Sequence, residues 1–172
     1  MAEQFPDSRF ISLDNAIVGM PNVLSVMGNC NEGCFIAGAI ASMWTTRTDI
    51  ANVNAEKIVG YIGGKDTPYV LDGRNGYVQG AQYLDAETKV LESYGDNFQD
   101  PMKMKELTLA QIQQGMDVVY IMTGDASAGG YEALKENGGY AIGHDGDYDG
   151  NMPGVVINSF VRDHRQRFRP FV

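Results

Sequence analysis

The sequence predicts a three-layer α-β-α domain around a mostly parallel sheet, and three observations predict it. Short apolar runs alternate along the chain with segments of helical periodicity, the order that βαβ units require. One run, Val118–Met122, is apolar at every position instead of alternating, as expected of a strand covered on both faces. Asp100-Pro101 opens a helix by a known device: the Asp side chain accepts from free backbone N–H groups, and Pro takes a first position that needs no N–H.

Taken in order, Phe10–Leu13 and Val23–Met27 read as two short strands. Glu32–Thr45 is a helix whose apolar positions, from Phe35 and Ile36 to Met43 and Trp44, nearly surround its axis. Lys57–Ile62 is a strand ending in Gly63-Gly64, and Tyr69–Leu84 a helix with Val70, Tyr77, Val78, Ala81 and Leu84 turned inward. Lys89–Tyr94 is the next strand. The helix opened by Asp100 runs to about Gln114 and stops at Gly115. After Val118–Met122, the pair Gly129-Gly130 leads into a short helix, Tyr131–Asn137. Tyr140–Gly143 and Val155–Ser159 are the last strands.

Charge narrows the partners. A formal net charge of −9 disfavours nucleic acid, whose phosphates need clustered Lys and Arg, and equally an anionic membrane surface. The basic run Arg162–Arg169 is read as a solvated tail. No stretch approaches the roughly 18 apolar residues of a membrane span. The first residues carry neither a basic nor an apolar leader region, so the chain as given is expected to lack a signal peptide and to stay in the cytoplasm. Cys30 and Cys34 stand alone in C-x3-C spacing, far in sequence from His144 and His164, so no metal site is expected. Two partly buried thiols are the default, with a local disulfide open to an exported protein.

In a parallel sheet, ligands sit at the loops that follow the carboxyl ends of strands. Four such loops, residues 63–68, 95–100, 124–130 and 144–149, are rich in Gly, Asp, Asn and Ser. The 124–130 loop lacks the G-K-[ST] ending of a phosphate cradle and carries Asp125, so an uncharged polar ligand is expected there, held by backbone amides near Gly129 and Gly130 and by stacking on Tyr131. Asp145, Asp147 and Asp149-Gly150 match the first half of an EF-hand loop, but the twelfth position is Val156. Asp145 and Asp147 are therefore expected to accept from ligand hydroxyls, with calcium and a solvated acidic turn as the other readings. Trp44 and Tyr77 are expected in the core, while Tyr69, Tyr94 and Tyr131 are candidates to stack on a ring-bearing ligand. Cys34 and His144 lack the convergent partners of a nucleophilic machine, so no catalytic residue, no cofactor and no enzyme activity is expected.

The order of motifs resembles the basic membrane protein family, the purine-nucleoside-type substrate-binding lipoproteins of ABC importers. The resemblance is carried by Phe5-Pro6-Asp7-Ser8-Arg9-Phe10, Pro21-Asn22-Val23, Glu32-Gly33-Cys34-Phe35-Ile36-Ala37-Gly38 and Ile58–Gly64. It continues through Gly76-Tyr77 with Gly80-Ala81, Tyr94-Gly95-Asp96 with Phe98 and Asp100-Pro101, Ala141-Ile142-Gly143 with Asp145 and Asp147, and Pro153-Gly154. It implies a lobe of a type I periplasmic-binding-protein clamp, flavodoxin-like in build, with ligand contacts at Asp14, Phe35, Gly129, Gly130, Tyr131, Asp145 and Asp147. It implies residues 1–30 as strands of the first lobe, 31–160 as the second, ligand-binding lobe and 161–172 as a basic tail. The implied ligand is a nucleoside, held weakly or not at all by half a clamp, and the implied partner an ABC permease. A membrane-anchored, extracytoplasmic setting is implied for the family, and a homodimer through the exposed lobe face is expected. The alternatives are a small flavodoxin-like α/β enzyme and a calcium-binding structural domain.

Overall fold

The computed structural model describes residues 1–162, so the tail from Asp163 onward lies outside the described residues. Contacts divide the chain into two units, Met1–Cys30 and Asn31 onward. In the first unit, β1 (Phe10–Leu13) and β2 (Val23–Val26) pair in parallel, Phe10 opposite Val23 and Leu13 opposite Val26. Asn22 ties the leading loop to this pair, its side-chain amide donating to the carbonyls of Ala2, Phe5 and Ser8 at 3.0–3.1 Å. Ile11, Leu13 and Leu24 remain exposed on the ribbon.

The second unit is built on one sheet. α1 (Cys30–Thr45) leads to β3 (Ile58–Gly63), α2 (Pro68–Leu84), β4 (Lys89–Tyr94), α3 (Pro101–Ile112), β5 (Val118–Met122), α4 (Ser127–Asn137), β6 (Tyr140–Asp145) and β7 (Val156–Val161). The strand order is β4-β3-β5-β6-β7 and every neighbouring pair is parallel. β3 and β5 are buried at every residue, whereas the edge strands β4 and β7 are only partly covered. That gradient follows from helices lying on both faces of the middle of the sheet. From β3 the chain steps to one side to form β4 and then to the other to form β5, which makes the carboxyl ends of β3 and β5 the place where the winding reverses.

Glycines set how closely the layers meet. A Cβ at Gly80 in α2 would stand 1.8 Å from the Phe35 carbonyl of α1, so these two helices touch backbone to backbone. α3 runs along α4 on its side of the sheet. α3 starts as its cap predicts: Asp100 accepts from the Lys103 N–H at 3.0 Å with Pro101 at the first position. Gly115 closes it at φ +91°.

The boundaries depart from expectation where local geometry outweighs pattern. β3 begins at Ile58 because Lys57 sits at φ +55°, its ammonium held by Asp85 and Glu87 at 2.7 and 2.8 Å. Leu84, expected inward, is half exposed in the last turn of α2. α4 starts at Ser127, so Gly129 and Gly130 lie within it and not before it. β7 continues to Val161, beyond the strand end expected at Ser159 and into what was expected as tail. No helix among the described residues is long and apolar enough to cross a membrane.

At the amino end of β5, Asp117 is 1% exposed, and its carboxylate accepts from the Asn54 N–H at 3.2 Å. Burial raises its pKa, partly offset by the Thr45 hydroxyl and the Asn54 N–H. An acid whose folded-state pKa lies above its ordinary 3.8 binds its proton more tightly folded than unfolded, so stability falls as pH rises from 3.8 through the raised value. Asp117→Asn is expected to flatten that part of the stability–pH curve in urea unfolding, and an unchanged slope contradicts the assignment. Gly80→Ala is expected to cost about 1–3 kcal/mol by forcing α1 from α2. Gly150→Ala, with nothing within 4 Å of its would-be Cβ, should stay within about 0.5 kcal/mol.

Candidate functional site

Parallel strands deliver their following loops to one edge of the sheet, and the best-built cluster of polar side chains at that edge surrounds the end of β6. His144 and Asp145 are the last two residues of this strand. Asp145 adopts φ +69°, which turns the chain out of the sheet into the acidic loop. Arg162, just past β7, lays its guanidinium on the Asp145 carboxylate, Nε on Oδ1 and Nη2 on Oδ2 at 2.6 Å. The same guanidinium lies 5.1 Å over the ring of Tyr69, at the start of α2. Pairing across the β6–β7 ladder, Asp145 opposite Val161, brings the two ends together. The ladder slips by one residue between Ala141 and Ile142, a bulge that shifts β7 against β6.

Beneath this surface pair runs a buried polar chain. The Cys34 thiol donates to Tyr120 Oη at 3.3 Å, and Tyr120 Oη meets His144 Nδ1 at 2.5 Å. His144 Nε2 lies 3.3 Å from Asp145 Oδ1. Tyr120, Tyr69 and Phe160 surround the imidazole with centroids 5.6, 6.5 and 5.6 Å away. The histidine that looked remote in sequence thus sits within 4.8 Å of Cys34, measured between sulfur and a ring nitrogen. Cys34 and Tyr120 are sealed from solvent, so as they stand neither meets a substrate. The chain ends at His144, the residue that precedes Asp145 in β6.

The acidic loop spends its carboxylates on separate partners. Asp149 accepts from Ser159 Oγ at 2.6 Å, Asp147 accepts from the Asp149 N–H at 3.2 Å, and Asp145 takes Arg162. Ser159 also accepts from the Tyr148 N–H, fixing the loop to β7. In this arrangement the three carboxylates do not converge as an EF-hand loop requires.

The other expected positions fall elsewhere. Gly129 and Gly130 are buried inside α4, where a Cβ would meet the Pro101 carbonyl at 1.8 Å and Ile121 Cδ1 at 2.6 Å. They are contact points between α4 and its neighbours. Tyr131, expected to face a ligand, is 2% exposed in the core, 5.4 Å from the Tyr148 ring, and burial pushes its phenol pKa up. The 124–130 loop shrinks to a 3-10 turn, Gly124–Ala126. Phe35 packs 5.5 Å from Tyr83 and lines a groove of about 420 Å³ with Asn31, Glu32, Asp72, Asn75, Gly76 and Gln79. Asp14 follows β1 at φ +55°, its N–H on the Val26 carbonyl, in the first unit. Tyr77 is buried as expected, stacked 5.5 Å from Tyr120. Arg162 escaped sequence reasoning because it opens a basic run, though Val155–Ser159 as a strand would have carried it toward the ligand edge.

The comparisons with known proteins show the family and the fold. The sequence model of the family described as "ABC transporter substrate-binding protein PnrA-like" matches residues 1–168. An ABC transporter nucleoside-binding protein, BmpA, of Lactococcus lactis is 31% identical over 134 residues, 78% of this chain and 36% of that one. Basic membrane protein A1 of Borrelia garinii is 27% identical over 165 residues, 93% of this chain and 46% of that one. An ABC transporter solute-binding protein from Aeropyrum pernix superposes with a TM-score of 0.84 at 25% identity, covering 94% of this chain and 46% of that chain. The chain thus spans less than half the length of these relatives.

Tyr120→Phe removes the hydroxyl between Cys34 and His144 without changing the ring. It is expected to cost about 1–3 kcal/mol in urea unfolding, because two buried polar groups lose that partner. A cost below about 0.5 kcal/mol contradicts a structural role for this chain.

Proposed function

From a chain that belongs to the PnrA-like family of ABC transporter substrate-binding proteins, we propose the ligand-holding lobe of a nucleoside receptor that delivers its cargo to an ABC permease. The observation that carries the proposal is the combination of the family match over residues 1–168 with a built acceptor, Asp145, at the ligand edge of the sheet. In this reading the Asp145 carboxylate accepts from ribose hydroxyls, Asp147 beside it adds a second acceptor, and the Tyr69 ring offers a face to the base. Phe35 contributes from the groove at the start of α1. The lobe binds and releases without chemistry: the Cys34–Tyr120–His144 chain is closed to solvent.

The nucleoside assignment draws support from the L. lactis relative, which is itself described as nucleoside-binding. Clamp-type sites bury most of a ligand by contacts from two sides. The 172 residues by themselves, under half the length of those relatives, are therefore expected to hold a nucleoside weakly. Every 1.4 kcal/mol of missing contact weakens Kd about tenfold.

In a thermal-shift series, adenosine or guanosine at millimolar concentration is expected to raise Tm, and calcium and flavin mononucleotide are not. Calorimetry is expected to place the nucleoside Kd above roughly 1 µM. Stabilisation by calcium or flavin with none by nucleosides overturns the assignment. Sub-micromolar nucleoside binding overturns the expectation that this chain is insufficient alone.

A further inference from the structure

The C-x3-C pair that lacks a partner in the sequence acquires one in the fold. Cys30 and Cys34 stand one turn apart on α1, so both thiols lie on one face of that helix, the spacing by which helices present paired metal ligands. The end of β6 brings a third ligand to them: the two sulfurs and a ring nitrogen of His144 all lie within 4.8 Å of one another. The three residues are 1%, 0% and 8% exposed. Atoms bound at about 2.0–2.3 Å to one tetrahedral zinc stand roughly 3.3–3.8 Å apart, so closing the set takes shifts of about 1.5 Å or less. Both ring nitrogens of His144 have polar neighbours, Tyr120 Oη 2.5 Å from Nδ1 and Asp145 Oδ1 3.3 Å from Nε2. The nitrogen that a metal does not use therefore keeps a group that fixes the ring.

We propose that Cys30, Cys34 and His144 form a site for a soft divalent cation of the zinc type, which fastens the first turn of α1 to the end of β6. Chemistry selects the ion. Thiolate and imidazole favour zinc over calcium or magnesium, which take oxygen ligands. On binding, both S–H bonds give up their protons to solvent. Two thiolates, a neutral imidazole and a divalent ion then sum to zero charge, as a dry site favours. A monovalent soft ion such as copper(I) would leave the same set with a buried negative charge. Tyr120 Oη, 3.3 Å from Cys34 Sγ, is a fourth polar atom against the set. Burial of all three ligands makes this a site of the structural kind, with no position open to a substrate. An ion enters through the first turn of α1, since helix ends open at low free energy. The site is independent of the nucleoside reading.

The test uses the full 172-residue chain, reduced and stripped of metal, titrated under argon with cobalt(II) as a spectroscopic stand-in for zinc. Wild type is expected to develop a thiolate-to-cobalt charge-transfer band and the strong visible bands of four-coordinate cobalt, saturating at one ion per chain and erased by zinc. Zinc is expected to bind more tightly than about 1 µM at neutral pH and to raise Tm, and excess calcium to displace nothing. Cys30→Ala, Cys34→Ala and His144→Gln are each expected to weaken cobalt binding at least about a hundredfold, while His164→Gln, in the basic tail, leaves it unchanged. Should a variant fail to fold, wild type alone decides. Zinc is then expected to protect both cysteines from iodoacetamide, read by mass spectrometry, in mild urea at which the metal-free chain is alkylated. Absence of the charge-transfer band, bands that persist in the cysteine variants, displacement by calcium, or loss on His164→Gln overturns the site.

Discussion

Parallel pairing is the constraint on which the rest of this molecule depends. Five strands running the same way send every strand-to-helix loop to one edge and every helix-to-strand loop to the other. The two edges have divided their labour. At the amino edge, Asp117, Asn54 and the Gly115 turn form a buried polar network that closes the chain between α3 and β5. At the carboxyl edge lie Gly63-Gly64, the Thr123–Ala126 turn and the β6 end, where the Asp145 carboxylate is exposed. The reversal of winding between β3 and β5 opens that edge, and the β6–β7 ladder furnishes it with charge.

The layers on either side leave little slack. α1 and α2 meet at glycines, and α4 meets the start of α3 at Gly129. The buried tyrosines Tyr61, Tyr77 and Tyr120 lie against one another with ring centroids 5.5–6.0 Å apart, so the middle of the sheet is braced by aromatic contact as well as by aliphatic packing. Tyr120 belongs to both systems: its ring stacks on Tyr77 and its hydroxyl reaches His144. Tyr120 thus ties the core to His144, the residue before Asp145 in β6.

Much of this was legible in the residues themselves. Val118–Met122 announced a strand covered on both faces, Asp100-Pro101 a capped helix start, and the alternation of strand and helix a parallel sheet; all three stand in the structure. The errors have physical causes. Gly129 and Gly130 read as a loop because glycine disfavours helices, but here close approach to Pro101 and Ile121 outweighs propensity and the helix runs through them. Tyr131 moved into the core for the same reason, since a helix that begins four residues earlier turns that ring inward. The Cys34–Tyr120–His144 chain was hidden because contacts 86 and 24 residues apart have no local signature. Arg162 was hidden by its company, as a first cation in a basic run looks like solvated tail until a strand pairing places it beside Asp145.

The central claim is that a solute meets this chain at the carboxyl edge around Asp145. Backbone ¹H–¹⁵N chemical-shift mapping of the full chain during titration with adenosine and guanosine tests it most directly, because weak binding is still read residue by residue. The account predicts shifts that saturate together at Asp145, Asp147, Tyr69 and Arg162, with the Asp117 edge unmoved. Saturating shifts centred on the amino edge or on the outer faces of α3 and α4, with residues 144–149 unchanged, would contradict it.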